Sequence, residues 1–181
     1  AACTLAATSV TVAAGTDSAS FYFSDNTSGT RTVNASAVGY GGASQAQTVS
    51  PGAPSQLAFT TAVKTLLASA CSSAVTVETR DTFGNPTTAG ATVDLAVGLT
   101  PAELSTTLFS DAACTTPAAN ITIAAASTAG SFYFRTRTGG PVTVTASSTG
   151  LTSANQAETV VSTSRSGTCT INNGSTTSAN C

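Results

Sequence analysis

Histidine, tryptophan and methionine are absent from this chain of 181 residues, and lysine occurs once, at Lys64. Without histidine, the usual general base, the commonest metal ligand and the one side chain that changes charge near neutral pH are missing. Lysine and arginine together number six and are scattered, so no basic patch can neutralise a run of phosphates, and nucleic-acid binding is excluded. Charged residues make up 8% of the chain and the formal net charge is −2. No apolar run approaches the roughly 18 residues of a membrane-spanning helix. The cysteines lack C-x-x-C pairing, and no G-x-S-x-G elbow occurs. These absences predict a protein with no enzymatic activity, no cofactor and no metal site.

What the chain has is small side chains. There are 33 Ala, 36 Thr and 24 Ser, which is 93 of 181 residues. The true core formers are Val, Leu, Ile and seven Phe. Abundant Thr and Val favour strands over helices. A Ser/Thr-rich chain could be disordered, but low charge and regular apolar alternation argue against that. The hydroxyls can hydrate a surface that charge does not.

An internal repeat organises the sequence. Residues 1–49 align without a gap on residues 112–160, with 24 identities in 49. Ala1-Ala2-Cys3-Thr4 matches Ala112-Ala113-Cys114-Thr115, and Ser20-Phe21-Tyr22-Phe23 matches Ser131-Phe132-Tyr133-Phe134. Gln45-Ala46 and Thr48-Val49 match Gln156-Ala157 and Thr159-Val160. The chain therefore reads as three parts. Residues 1–53 are the second half of a unit plus a linker, where Pro51 and Pro54 interrupt strand pairing. Residues 54–161 are a complete unit. Residues 162–181 begin a further segment.

In the complete unit, alternation predicts strands over residues 56–60, 74–80, 92–98, 106–110, 120–124, 131–136 and 141–147. Leu57 and Phe59, Val75 and Val77, Val93 with Leu95 and Val97, Ile121 and Ile123, Phe132 and Phe134, and Val142 and Val144 face inward. Seven short strands separated by turn signals predict an all-β, two-sheet sandwich. Residues 1–50 supply about three strands by the same reading.

Residues 77–95, VETRDTFGNPTTAGATVDL, carry a distinctive turn. Gly84 and Asn85 tolerate left-handed backbone angles, and Pro86 starts the next extended segment. This stretch resembles the V-x-D-x-x-G-N-P-x-x-G-x-x-V-x-F/L pattern of bacterial Ig-like repeats of the invasin/intimin type. Its two cysteines per unit resemble the variants found as tandem repeats in very large bacterial surface proteins. The resemblance implies an immunoglobulin-like sandwich that serves as a spacer, stalk or adhesin module.

Five cysteines occur: Cys3, Cys71, Cys114, Cys169 and Cys181. The composition points to the cell exterior, where disulfides persist. Cys71 and Cys114 share the one complete unit and are the expected intra-unit pair. Cys3 is the repeat equivalent of Cys114, so its partner lies outside residues 1–50. Cys169 and Cys181 remain. They bond each other locally, or one of them bonds Cys3 of a neighbouring chain.

Other candidate sites carry plainer readings beside the functional ones. Glu78, Asp81 and Asp94 could gather around the Gly84 turn as a paired-acid or calcium site, and are otherwise turn and edge residues. Lys64 could form an isopeptide bond, and is otherwise exposed. The Phe-Tyr-Phe triplets look like a sugar platform, yet alternation places Phe132 and Phe134 in the core. Asn26, Asn34, Asn120 and Asn173 open glycosylation sequons. Arg135 and Arg137 mark a bulge or strand end near Arg135, with no ligand assigned.

A half-unit would leave an apolar face and open sheet edges in water. Either preceding sequence or a neighbouring subunit must cover it, with residues 162–181 as the candidate donor strand. The expected function is an extracellular structural protein whose repeats or subunits join head to tail in a surface filament, stalk or fibre. The alternative is an adhesin segment contacting a surface glycan or protein.

Overall fold

The computed structural model describes Cys3 and residues 8–100, 107–118 and 120–162. They divide into two units, Ala1–Gly52 and Ala53–Cys181. No helix occurs among the described residues. Cys169, Cys181, Glu103, Asn173 and most of the expected third segment lie outside them.

Unit 1 contains β1 (Gly29–Ala35) and β2 (Ala43–Val49), an antiparallel hairpin with Gly29 opposite Val49 and Ala35 opposite Ala43. Gly39, at φ 82° in the connecting turn, occupies backbone space that a side chain would strain. Among the described residues of 1–50 no third strand forms: residues 18–24 lack strand structure. A strand needs ladder partners, and the partners of its repeat equivalent come from the first half of a unit.

The described residues of unit 2 form nine strands: β3 (Gln56–Phe59), β4 (Thr65–Leu67), β5 (Val75–Arg80), β6 (Val93–Thr100), β7 (Thr107–Phe109), β8 (Ile121–Ile123), β9 (Ala129–Arg135), β10 (Gly140–Ser148) and β11 (Leu151–Val161). One layer runs β7-β9-β5-β3, and the other runs β11-β10-β6-β8 with β4 beside β11. A single parallel pairing, Thr152 with Gln56, joins the layers along one edge. In chain order the first layer matches the A-B-E-D sheet of an immunoglobulin domain and β6, β10 and β11 match C, F and G. Unit 2 is an immunoglobulin-like β-sandwich, as expected.

All seven predicted strands are present, within a few residues of their predicted bounds. Two more were not predicted. β4 is only three residues long, and β11, the longest strand, hides its alternation behind polar inward residues. The core draws Val75, Val77, Phe132 and Phe134 from one layer and Leu95, Ile121, Ile123, Val142, Val144, Ala146 and Val160 from the other. Inward alternation holds through Phe132, Phe134 and Thr136, all buried, so β9 ends at Arg135 without a bulge. Gly130 is where β9 passes closest to β8: a Cβ there would lie 2.4 Å from the Thr122 carbonyl oxygen.

Candidate functional site

The first candidate is the turn after β5. Asp81 is almost fully buried, at 1% exposure. The amides of Phe83 and Asn85 both donate to its Oδ1 at 2.9 Å, and the Asn85 side-chain amide donates to Oδ2 at 2.9 Å. Gly84, at φ 85°, closes this turn in the left-handed region. The Gln56 side chain donates to the Asp81 carbonyl oxygen at 2.7 Å and ties the turn to β3. The carboxylate is consumed in holding the backbone, as in an Asx-turn. Glu78 accepts from the Arg80 guanidinium, and Asp94 sits opposite Thr122 in the pairing of β6 with β8. The three acids that could have gathered are instead a turn residue, an ion-pair partner and a residue of β6. Among the described residues, no group of three or more Cys, Asp or Glu side chains is placed to hold a metal ion.

An open groove on unit 2 is lined by Asp94, Ala96, Val97, Leu108, Asn120 and Ser147, among others. Among its described lining residues Asp94 is the one carboxylate.

The second candidate is the cysteine pair. Cys71 and Cys114 form a disulfide with Cα atoms 5.7 Å apart, which pins the turn after β4 to the turn after β7. The intra-unit pairing expected from sequence is the one formed. Cys114 adopts φ 51°, unusual for a residue with a side chain. Asp111 builds the turn that allows it, accepting from the amides of Ala113 (3.0 Å), Thr115 and Thr116 (2.6 Å) and from the Thr115 hydroxyl (3.0 Å). These donors, with the Thr116 amide foremost, hold the Asp111 carboxyl down to a pKa of about 2.

Sequence reasoning missed a buried polar pair on β11. Gln156 and Glu158 face inward, at 7% and 1% exposure. The Gln156 side chain donates to the Thr61 carbonyl oxygen at 3.0 Å, and Glu158 accepts from the Lys64 amide. One oxygen of each, Gln156 Oε1 and Glu158 Oε1, has no hydrogen-bond partner. Burial raises the Glu158 pKa above the ordinary carboxylate value. Lys64 is half-buried, with its backbone fixed on both sides: its carbonyl oxygen accepts from the Thr159 amide at 2.9 Å.

The aromatic triplet of unit 2 is a core element, with Phe132 and Phe134 fully buried and Tyr133 half-buried on the outer face. The Arg135 guanidinium lies over the Phe109 ring, 4.9 Å from its centre. The equivalent triplet of unit 1 is different. Phe21, Tyr22 and Phe23 are 52%, 73% and 44% exposed, and Val10 and Val12 are also exposed. Two grooves lie on this unit, one lined by Phe21, Phe23, Val33, Gln45 and Gln47, the other by Val10, Phe21, Val33 and Ala35. Cys3 is free and exposed.

No family model matches the chain, and no curated protein matches it. Solved structures that resemble it include domains 4 and 5 of the S-layer protein SbsC, at 18% identity and a TM-score of 0.41, covering 74% of this chain and 58% of that one. SbsC domains 4–9 match at 17% identity and a TM-score of 0.43, covering 77% of this chain and 19% of that one. A glycosyl hydrolase family 2 member from Bacteroides cellulosilyticus matches at 16% identity and a TM-score of 0.48, covering 74% of this chain and 17% of that one. The chain thus spans less than two thirds of each.

Proposed function

We propose that this chain is a structural building block of an extracellular bacterial assembly, made of Ig-like repeats of the invasin/intimin type joined head to tail. One observation carries the reading: the same hairpin is built twice in one register. Gly29 pairs with Val49 and Ala35 with Ala43 in unit 1, and 111 positions on Gly140 pairs with Val160 and Ala146 with Ala154 in unit 2. Repetition of a scaffold serves length and stacking. A disulfide inside the unit is consistent with an oxidising exterior. Asp81, the most buried of the candidate acids, is spent on its own turn, which supports a mechanical task over an enzymatic one. The test is electron microscopy of native material without reductant. Long regular fibres with an axial repeat of one or two sandwich lengths are expected. Isolated particles, together with a melting temperature raised by a surface glycan or protein, would replace this reading with that of an adhesin module.

A further inference from the structure

The structure assigns Cys3 and residues 8–52 the role of a strand acceptor, and we infer that its occupant is a β-segment of the kind found at residues 54–80 of this same chain. The inference rests on the assembly reading above and names what joins one unit to the next. Unit 2 shows what covers the equivalent face. β9 pairs with β5, placing Val75 opposite Phe132 and Val77 opposite Gly130. β4 lies parallel to β11, with Thr65 beside Thr159 and Leu67 beside Val161. β3 meets the start of β11 at Thr152. Cys71, between β4 and β5, bonds Cys114. These contacts come from residues 54–80; β6 adds the pairings with β10 and β8, and β7 the other pairing of β9.

Unit 1 presents the complementary half of each. Phe21 and Phe23 stand where Phe132 and Phe134 are buried, and Val10 and Val12 stand where Ile121 and Ile123 are buried. Cys3 stands free where Cys114 is bonded. The departures are local. Asp25 and Arg31 replace Thr136 and Val142 together and form an ion pair, so the change compensates itself. Ala19 replaces Gly130, so residues 10–12 must sit farther from residues 18–24 than β8 does from β9.

Two other occupants fit less well. Residues 162–181 hold one large aliphatic residue, Ile171, and lack the alternation of Leu57, Phe59, Val75 and Val77. In a second copy of residues 1–181, the first half at 54–111 is already in use within unit 2. The occupant is therefore a segment like residues 54–80: two antiparallel strands equivalent to β3 and β5, with a short strand equivalent to β4 and a cysteine between them. Its main chain extends the hairpin and its apolar face fills the two grooves. Its cysteine closes onto Cys3. In that step the two thiols form one disulfide, and their two electrons and two protons pass to a small-molecule disulfide, which is cleaved to two thiols.

The test uses the full chain, a synthetic peptide of residues 54–80 and a glutathione redox buffer. A peptide of the same composition and cysteine position, with its apolar alternation scrambled, is the control. A mixed disulfide between Cys3 and the peptide cysteine is expected at least tenfold above the control, with slowed amide hydrogen exchange across residues 18–49. The same exchange protection is expected in a Cys3→Ser chain, because pairing precedes the covalent lock. Equal capture of the scrambled peptide, absence of protection, or bonding of Cys3 to Cys169 or Cys181 of another copy would each overturn the inference. Fibres without peptide capture would remove the acceptor and leave the assembly reading. Peptide capture without fibres would do the reverse.

Discussion

Phe134 and Phe23 occupy the same place in the repeat and opposite environments, 0% and 44% exposed. Phe134→Ala should therefore empty a core site and lower unit 2 stability by about 3–5 kcal/mol. Phe23→Ala in the isolated chain should change stability by less than about 0.5 kcal/mol, as exposed substitutions do. Chemical denaturation of the two variants, followed by tyrosine fluorescence, reads the contrast. A loss at Phe23 comparable to that at Phe134 would show unit 1 already closed.

Glu158 gives the residue scale its pH dependence. Its folded pKa is raised by burial, so the native state holds a proton that the unfolded chain releases from about pH 4.5 upward. Stability is thus greatest below the unfolded value and falls as pH rises through the folded one. Glu158→Gln should remove that slope, since a neutral amide keeps the shape without the charge. The repeat itself uses the amide here: Gln47 is the equivalent residue in unit 1. Melting temperatures of the two proteins from pH 4 to 8 should diverge, with wild type losing ground above pH 4.5. Parallel curves would mean Glu158 ionises freely.

At the scale of elements, strands with apolar inward residues were legible and strands with polar ones were not. β5, β6, β8, β9 and β10 alternate Val, Leu, Ile and Phe against Thr, Glu and Ser, which is the signal two-residue periodicity carries. β11 places Gln156, Glu158 and Val160 inward, so its period is masked by side chains that are buried because the Thr61–Lys64 backbone meets them. No local pattern reports a partner nearly a hundred residues away. The turn at Asp81 shows the same limit: the sequence marks it as a turn, but not that its carboxylate accepts from the Phe83 and Asn85 amides and the Asn85 side chain.

The disulfide was legible because only two cysteines share the complete unit. It joins residues 43 apart, and chain-entropy arguments give such a closure roughly 3–4 kcal/mol through restriction of the unfolded state. A Cys71→Ser/Cys114→Ser double variant should lose about that much stability in calorimetry, and reductant should cost the wild type the same while leaving the variant unchanged. A variant with undiminished stability would place the stabilisation of these turns in Asp111 and its four donors instead.

Across the whole molecule, the repeat was the strongest signal in the sequence, and the paired hairpins carry it into three dimensions with the same register. What it could not foretell is how little of the second half forms by itself. A two-stranded hairpin is marginal in water, whereas three or more strands over an apolar face are stable. The described residues of unit 1 have two strands and exposed Val10, Val12, Phe21 and Phe23, while unit 2 closes its core between two layers. The two units should therefore open at different rates. Thermolysin, which cuts before apolar residues, should attack residues 10–23 first and leave a resistant fragment that begins near Gly52, because proteolysis follows the population of the opened state. Trypsin should cut at Arg31 well before Arg80, although both lie in strands, since only Arg80 is held in the sandwich. Mass spectrometry of timed digests distinguishes the outcomes. Cleavage of both units at one rate would mean that residues 1–52 share the stability of the sandwich despite their exposed aromatic residues.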